Sequence, residues 1–152
     1  MITKNVFIAS DHAGFLAKED ICELLVEMGI NFENLGPDSE DSVDYPDYAK
    51  KVCTAVQSDL ENNLGILICG SGTGMAIAAN KFSGIRASFS YDVYSAKFAK
   101  VDNNANVLTL RAREFDHGKY KEILKAFFEN EFSGIERHQK RIDKVMSFEN
   151  LK

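Results

Sequence analysis

The amino-acid sequence predicts an α/β fold in which a central parallel sheet of about five strands is covered by helices on both faces. Strand-like and helix-like segments alternate along the 152 residues, and no linker or internal repeat interrupts them. The apolar run 64–68 is continuous, as expected for a central strand buried on both sides. A glycine-rich loop follows that strand and leads directly into a helix-like segment. We therefore expect a single domain that spans residues 1–152.

The first half of the chain contains two short predicted strands and two predicted helices. Residues 5–10 and 31–35 are the strands, and Gly36-Pro37 closes the second one. Residues 12–28 form the first helix, which ends at Gly29, and Pro46 opens the second helix. The apolar positions at helical spacing are Ala17, Ile21, Leu24, Leu25 and Met28 in the first helix, and Ala49, Val52, Cys53 and Val56 in the second.

The second half continues the same alternation after the central strand. Short runs at 85–90 and 106–110 predict two more strands. Residues 75–79, 91–101 and 117–129 predict the helices around them. The final segment, residues 137–151, carries Ile142, Val145 and Met146 at helical spacing. These side chains need a cover, which either their own domain or a partner subunit can provide.

Composition and charge exclude several classes of protein. The net charge of −5 argues against general nucleic-acid binding, which usually requires a basic face. The N-terminal apolar run is too short for a signal peptide, and no segment approaches a membrane span. The three cysteines, Cys22, Cys53 and Cys69, show neither metal-binding nor disulfide spacing. A cytoplasmic protein with reduced thiols and no metal is the natural interpretation.

The loop after the central strand, residues 69–74, is the part of the sequence richest in chemical function. A tight turn that allows close helix–sheet packing is the simplest interpretation of its glycines. A nucleotide-binding P-loop is excluded because the first lysine after the glycines is Lys81, too far along the chain for that motif. A Cys-x5-Arg phosphatase loop is excluded because Met75 stands where the arginine would be. What remains is the thiol of Cys69 beside several backbone N–H donors. Such an arrangement can remove a proton and stabilise the resulting oxyanion.

Two further segments carry candidate binding residues. Asp11 and His12 lie between the first strand and the first helix; Asp11 suits a helix cap, whereas His12 suits contact with an anion about as well as a structural role. The run 137–141 is the densest basic cluster, and it favours either a solvated helix face or phosphate binding by Arg137 and Arg141. We expect Arg111 and Arg113 to add to the same pocket.

Several motifs occur together in one order and resemble those of the type B ribose-5-phosphate isomerases, within a family that also contains allose- and galactose-6-phosphate isomerases. The resemblance covers nearly the whole chain. The motifs are Asp11-His12-Ala13-Gly14, Asp44-Tyr45-Pro46, Ile68-Cys69-Gly70-Ser71-Gly72-Thr73-Gly74, Ala78-Ala79-Asn80-Lys81, Gly84-Ile85-Arg86-Ala87, Asn103-Asn104-Ala105-Asn106-Val107-Leu108 and Arg137-His138-Gln139-x-Arg141.

The resemblance implies a Rossmann-like α/β/α sandwich and a homodimer, or a dimer of dimers, with active sites shared between subunits. It implies interconversion of ribose 5-phosphate and ribulose 5-phosphate through an enediolate, without a cofactor. Cys69 matches the base, and Ser71 retains a hydroxyl where relatives commonly carry threonine. The residues that match substrate or phosphate contacts are Asp11, His12, Tyr45, Gly70, Ser71, Gly72, Thr73, Gly74, Asn103, Arg113, Arg137 and Arg141.

One residue departs from the pattern of the family. Asp102 stands before Asn103, where the resemblance predicts a histidine that opens the sugar ring. Either Asp102 itself transfers the proton, or another group or solvent opens the ring. Two alternative functions therefore stay open: an isomerase of a six-carbon sugar phosphate, and a weakly active subunit that binds sugar phosphates. The intact Cys69 loop argues against the second, because a binding module has no need of that thiol.

Overall fold

The computed structural model describes residues 4–151, which form a five-stranded parallel sheet with helices on both faces. The strands lie in the order β2-β1-β3-β5-β4, so β3 is central. Their bounds are β1 (Asn5–Ser10), β2 (Phe32–Asn34), β3 (Asn63–Cys69), β4 (Ala87–Phe89) and β5 (Val107–Arg111). Every residue of β3 is buried, as its continuous apolar sequence predicts.

Six α-helices and two short 3-10 helices connect and cover these strands within the described range. Their bounds are α1 (Phe15–Glu27), α2 (Tyr45–Gln57), α3 (Thr73–Ala79), α4 (Val93–Val101), α5 (Tyr120–Phe128) and α6 (Glu136–Ser147), with 3-10 helices at His117–Lys119 and Phe148–Leu151. None of these helices combines the length and the apolar character that crossing a bilayer requires.

The sheet separates two hydrophobic cores. On one face, Ile8, Ile66 and Leu108 from neighbouring strands pack with α1, α4 and α5. On the other face, Leu67 and Val107 pack with α2 and α3. The two sets alternate along each strand because successive side chains of a strand point to opposite faces. The three-layer α/β/α architecture predicted from the sequence is therefore confirmed.

Element boundaries differ from the predicted ones by a few residues. The first helix begins at Phe15 rather than at position 12, so Asp11 and His12 lie in the turn that precedes it. The strand predicted at 85–90 shortens to Ala87–Phe89, and the last predicted helix is divided between α6 and a 3-10 turn. Strand and helix ends depend on local hydrogen bonds and caps, which periodicity alone does not specify.

The carboxyl ends of β1, β3 and β5 meet at one edge of the sheet. Ser10 pairs with Ile68, and Cys69 pairs with Arg111, so these three strand ends are level with each other. Gly14 then brings the start of α1 against β3: a Cβ there would lie 2.7 Å from the carbonyl oxygen of Ile68. Ligands of open parallel sheets bind outside this edge, and the candidate site lies there.

Candidate active site

A cavity of about 620 Å³ opens at the carboxyl edge of the sheet. It brings together residues from the ends of four strands, β1, β3, β4 and β5, and from the start of α2. Of the residues predicted from the sequence, its lining includes Asp11, His12, Tyr45, Cys69, Gly70, Ser71, Thr73, Arg111 and Arg113. The cavity therefore assembles the central part of the predicted site from segments that are distant in sequence.

Cys69 lines this cavity, and its side chain contacts the glycine loop. The residue is only 4% exposed, and its Sγ accepts a hydrogen bond of 3.1 Å from the backbone N–H of Gly72. Gly72 has a φ of +79°, and a Cβ there would lie 2.5 Å from the ring of Phe89. Glycine is thus required at position 72 for both the backbone conformation and the close approach that directs this N–H at the sulfur.

Two hydroxyl groups extend from the same loop beside the thiol. Oγ of Ser71 lies 2.7 Å from Oγ1 of Thr73, and the backbone N–H of Thr73 donates to Oγ of Ser71 at 3.3 Å. Both residues are exposed at the cavity. A hydroxyl group can both donate and accept a hydrogen bond. This pair can therefore bind a neighbouring oxygen atom whether or not that oxygen carries a proton.

Side chains from other parts of the fold pack against the backbone of the two outer glycines of the loop, Gly70 and Gly74. Arg113 extends over Gly70, where a Cβ would lie 3.2 Å from Cδ and 3.3 Å from Nη1 of the arginine. The ring of Tyr45, at the start of α2, covers Gly74, where a Cβ would lie 3.1 Å from Cζ of the tyrosine. The small size of glycine therefore lets a cation and an aromatic ring approach the thiol loop from opposite ends.

Asp11 and His12 form another wall of the cavity. Asp11 is 7% exposed, and its Oδ1 accepts a 2.9 Å hydrogen bond from the N–H of Gly14, at the beginning of α1. Nδ1 of His12 lies 3.2 Å from both the backbone nitrogen and the carbonyl oxygen of Val43. This contact joins the turn after β1 to the loop before α2, and no periodicity in the sequence signals it.

The two arginines after β5 have different surroundings. Nε of Arg111 donates to the carbonyl oxygen of Arg113 at 3.0 Å, and Nη2 donates to that of Glu114 at 2.8 Å. Arg111 thereby fastens the turn in which Glu114 adopts a φ of +50°. Within residues 4–151, no hydrogen bond or ion pair involves the guanidinium of Arg113, which leaves it available to an anion.

Three of the predicted binding residues, Asn103, Arg137 and Arg141, do not join this cavity within one chain. Asn103 and Arg141 line a separate cavity of about 530 Å³ between α6 and β4, and Arg137 is exposed on α6 and lines neither cavity. The expectation that Arg111 and Arg113 share a pocket with Arg137 and Arg141 is therefore wrong for a single chain. The sequence shows arginine spacing along α6 but does not show which way that helix faces.

The other two cysteines lie away from the cavity. Burial raises the pKa of Cys22 to about 11 and that of Cys53 to about 12, so both thiols stay protonated near neutral pH. The sequence-based interpretation of both as structural residues agrees with their places on α1 and α2. Among the described residues, no group of three or more His, Cys, Asp or Glu side chains is arranged to hold a metal ion.

Phe89 and Glu114 also line the cavity, although no motif in the sequence indicates either residue. Phe89 limits the space beside Gly72, and it pairs with Thr109 of the neighbouring strand β5. Register between strands is a tertiary property, so no local signal identifies Phe89. Glu114 lies one residue beyond Arg113, and its position in the turn after β5 is the only available indication.

Comparison with known proteins identifies the family. The family model described as Ribose/Galactose Isomerase matches residues 6–145. The chain belongs to this family. The enzymes of this family are sugar isomerases, which belong to the intramolecular oxidoreductases. This chain is therefore an enzyme of that class. The family and the enzyme class expected from the sequence motifs are therefore confirmed.

Individual members of the ribose/galactose isomerase family match over nearly their whole length. A putative sugar phosphate isomerase of Bacillus subtilis is 44% identical over 145 residues, which are 95% of this chain and 96% of that protein. Ribose-5-phosphate isomerase B of Escherichia coli is 39% identical over 146 residues, covering 96% and 97%. The structure of ribose-5-phosphate isomerase B from Mycoplasma genitalium with bound ribulose-5-phosphate has a TM-score of 0.93 at 38% identity and covers 100% of both chains.

Proposed function

We propose that this enzyme interconverts ribose 5-phosphate and ribulose 5-phosphate through an enediolate, with Cys69 as the base and without a cofactor. The observation that carries the proposal is the contact of 3.1 Å between Sγ of Cys69 and the N–H of Gly72 at the base of the cavity. A relative that matches the full chain binds ribulose-5-phosphate. That relative supports the proposed substrate class, and the thiol with the N–H of Gly72 supports the proposed reaction type.

The reaction moves one proton between neighbouring carbons. The thiolate of Cys69 removes the proton from C2 of the open-chain aldose, and the released electron pair forms the C1–C2 double bond while O1 becomes negative. A proton then passes from the C2 hydroxyl to O1, and the thiol returns its proton to C1, which yields the ketose. We assign the transfer between the oxygens to Ser71, whose hydroxyl contacts Thr73 at 2.7 Å.

Backbone N–H groups of the loop, residues 70–74, stabilise the negative charge of the enediolate. Fixed donors of this kind typically contribute about 3 kcal/mol each to the transition state, because they need no reorientation when the charge develops. Asp11, His12 and Tyr45 line the same cavity and contact the sugar. Arg113 binds the phosphate group, and this remote interaction holds the reacting carbons at the thiolate.

We further propose that the enzyme is a homodimer, or a dimer of dimers, whose sites combine residues of two subunits. The Cys69 cavity of one chain does not include Asn103, which follows α4, or Arg137 and Arg141, which lie on α6. A partner subunit that presents these residues completes the phosphate site. Tyr91 and Tyr94 are 55% and 71% exposed, and α6 buries only His138 and Ile142 in its own chain, so apolar surface is available for such an interface.

Mixing two inactive variants tests the shared site. We expect Cys69→Ala and Arg141→Ala proteins each to be nearly inactive, and subunit exchange between them to restore about a quarter of wild-type activity, because half of the dimers are hybrids with one intact site of two. The measurement is ketose formation after mixing, with each variant mixed with itself as the control. Absence of any recovery, despite exchange verified by mass, contradicts the shared site.

An isomerase of a six-carbon sugar phosphate is the second candidate, because the family includes galactose isomerases by description. Tyr45, whose ring covers Gly74, is the residue that we expect to limit the length of the site. We expect kcat/KM for ribose 5-phosphate to exceed that for allose 6-phosphate or galactose 6-phosphate by about tenfold or more, since an extra carbon displaces either the phosphate or the carbonyl. The opposite order identifies a hexose phosphate enzyme, and no turnover of any of them identifies a binding subunit.

The three cysteines are free thiols, and none of them forms a disulfide. This agrees with a reducing compartment, and we propose a cytoplasmic location.

A further inference from the structure

A histidine–carboxylate pair lies outside the Cys69 cavity, where the end of α4 meets the beginning of α6. Asp102 follows the last residue of α4, and its Oδ1 lies 3.5 Å from Nδ1 of His138 in the first turn of α6. The imidazole side chain is 9% exposed and the carboxylate side chain 41% exposed. Nδ1 also lies 3.1 Å from Oγ of Ser133. A histidine–carboxylate contact that is half shielded from water therefore joins two separate helices.

Backbone hydrogen bonds strengthen the same junction. The N–H of Ser133 donates to the carbonyl oxygen of Val101 at 3.0 Å, which ties the segment before α6 to the last turn of α4. The N–H of His138 donates to the carbonyl oxygen of Ile135 at 2.9 Å, which starts α6. The side-chain pair and the hydrogen bond between Ser133 and Val101 together join the beginning of α6 to the end of α4.

The two residues of this junction are next in sequence to residues that the proposed function assigns to the active site of a neighbouring subunit. Asn103 is next to Asp102, and Arg137 is next to His138. Arg141 lies one helical turn beyond Arg137 and lines the same cavity as Asn103. A shift of α6 relative to α4 therefore moves both arginines relative to the asparagine.

The chemistry of the pair favours an aspartate at this position. The carboxylate holds a negative charge 3.5 Å from Nδ1 of His138, whose closer hydrogen-bonding partner is Oγ of Ser133 at 3.1 Å. The dipole of α6 stabilises this negative charge near the beginning of that helix, whereas the dipole of α4 opposes it, because Asp102 lies at the C-terminal end of α4. A histidine at position 102 brings neither the negative charge nor an obligatory acceptor.

We propose that Asp102 is a positioning residue that fixes α6 through His138 and exchanges no proton with the sugar. By this contact it holds Arg137 and Arg141 in register with Asn103 for binding the substrate phosphate. The inference rests on the proposed function, because the phosphate site of the isomerase is what the pair positions. It explains how the chain tolerates an aspartate at the position where the family pattern predicts a ring-opening histidine.

The test compares Asp102→Asn, Asp102→His and Asp102→Glu in the intact oligomer. We expect the Asn and His variants to raise KM for ribose 5-phosphate by about tenfold, since a misplaced binding group weakens substrate positioning. We expect kcat to stay within about threefold of wild type, and Asp102→Glu to restore most of the affinity. Glu27→Gln removes the same charge from the exposed pair with Lys121 and is the matched control, for which we expect no change.

A loss of kcat with unchanged KM in Asp102→Asn overturns the proposal and assigns proton transfer to Asp102. A kcat for Asp102→His equal to or above that of wild type, with unchanged KM, overturns it as well. Calorimetry with inorganic phosphate provides a readout without turnover: Asp102→Asn and His138→Gln should weaken phosphate binding equally, and the double variant should be no weaker. If wild type binds phosphate but does not isomerise any sugar phosphate, the proposed function fails while this comparison still decides the positioning role.

Discussion

Cys69→Ala is expected to lower kcat by about 10²–10⁴-fold while ligand binding persists, because the change removes the group that takes the proton from carbon. The thiol lies at the base of the cavity and contacts the N–H of Gly72, whereas Arg113 and Tyr45 reach the cavity from other elements. Binding groups therefore remain in place when the sulfur is lost. The measurements are ketose formation at saturating ribose 5-phosphate and calorimetric binding of ribulose 5-phosphate.

Cys22→Ala is the matched control, because Cys22 is the only other cysteine that is not fully buried and its pKa is raised to about 11 by burial. We expect this variant to keep wild-type kcat. Normal turnover of Cys69→Ala rejects the thiol as the base, even if ribose 5-phosphate is the correct substrate. Loss of both turnover and binding, with the fold intact, assigns Cys69 a role in shaping the loop instead.

Gly72→Ala is expected to abolish most activity and to lower the free energy of unfolding. The residue has a φ of +79°, and a Cβ would lie 2.5 Å and 2.7 Å from atoms of the Phe89 ring and 3.0 Å from the carbonyl carbon of Leu110. The left-handed conformation costs an alanine about 1–2 kcal/mol, and the overpacking adds about 1–3 kcal/mol. The loop has to move away from β5, and the N–H of Gly72 then no longer points at the sulfur.

Gly29→Ala separates these two contributions. Gly29 has a φ of +67°, but a Cβ there meets nothing within 4 Å. Alanine at position 29 therefore carries only the conformational cost of about 1–2 kcal/mol, and we expect full activity. The measurements are denaturant unfolding and kcat for both variants. Equal destabilisation of the two variants, or an active Gly72→Ala enzyme, contradicts the requirement for close packing at the thiol loop.

Much of the fold was predictable because periodicity and turn residues encode it locally. The first strand was predicted at its observed bounds, 5–10, and the buried positions of α2 were predicted residue by residue. The Cys69 loop was predictable for the same reason: strand, turn and helix start are consecutive in sequence, so their N–H groups converge without any distant contact. The ordered motifs predicted the family, and the comparison with known proteins confirmed it.

The surroundings of the loop were not predictable, because they depend on which distant segments meet. Phe89 lies beside Gly72 owing to the strand order, and His12 contacts Val43 across a loop that has no periodic pattern. Arg111 and Arg113 look equivalent in sequence, yet one fastens the turn and the other extends over Gly70. Side-chain direction after a strand end depends on the backbone path, which a spacing rule does not describe.

The sequence alone determined the strand–helix alternation and the thiol with its N–H donors, because each of these depends on contiguous residues. It also determined the family, because the order of short motifs along the chain can be recognised without knowing how they meet in space. Only the tertiary structure decided that Arg141 and Asn103 lie in a different cavity from Cys69, and that Asp102 pairs with His138. The physical reason is that α6 is held by long-range contacts at both ends: Asp102 lies against His138 at its beginning, and Glu149 accepts hydrogen bonds from Ser83 and Gly84 just beyond its end. Such contacts depend on the packing of complete layers, so they leave no periodic signature in the chain.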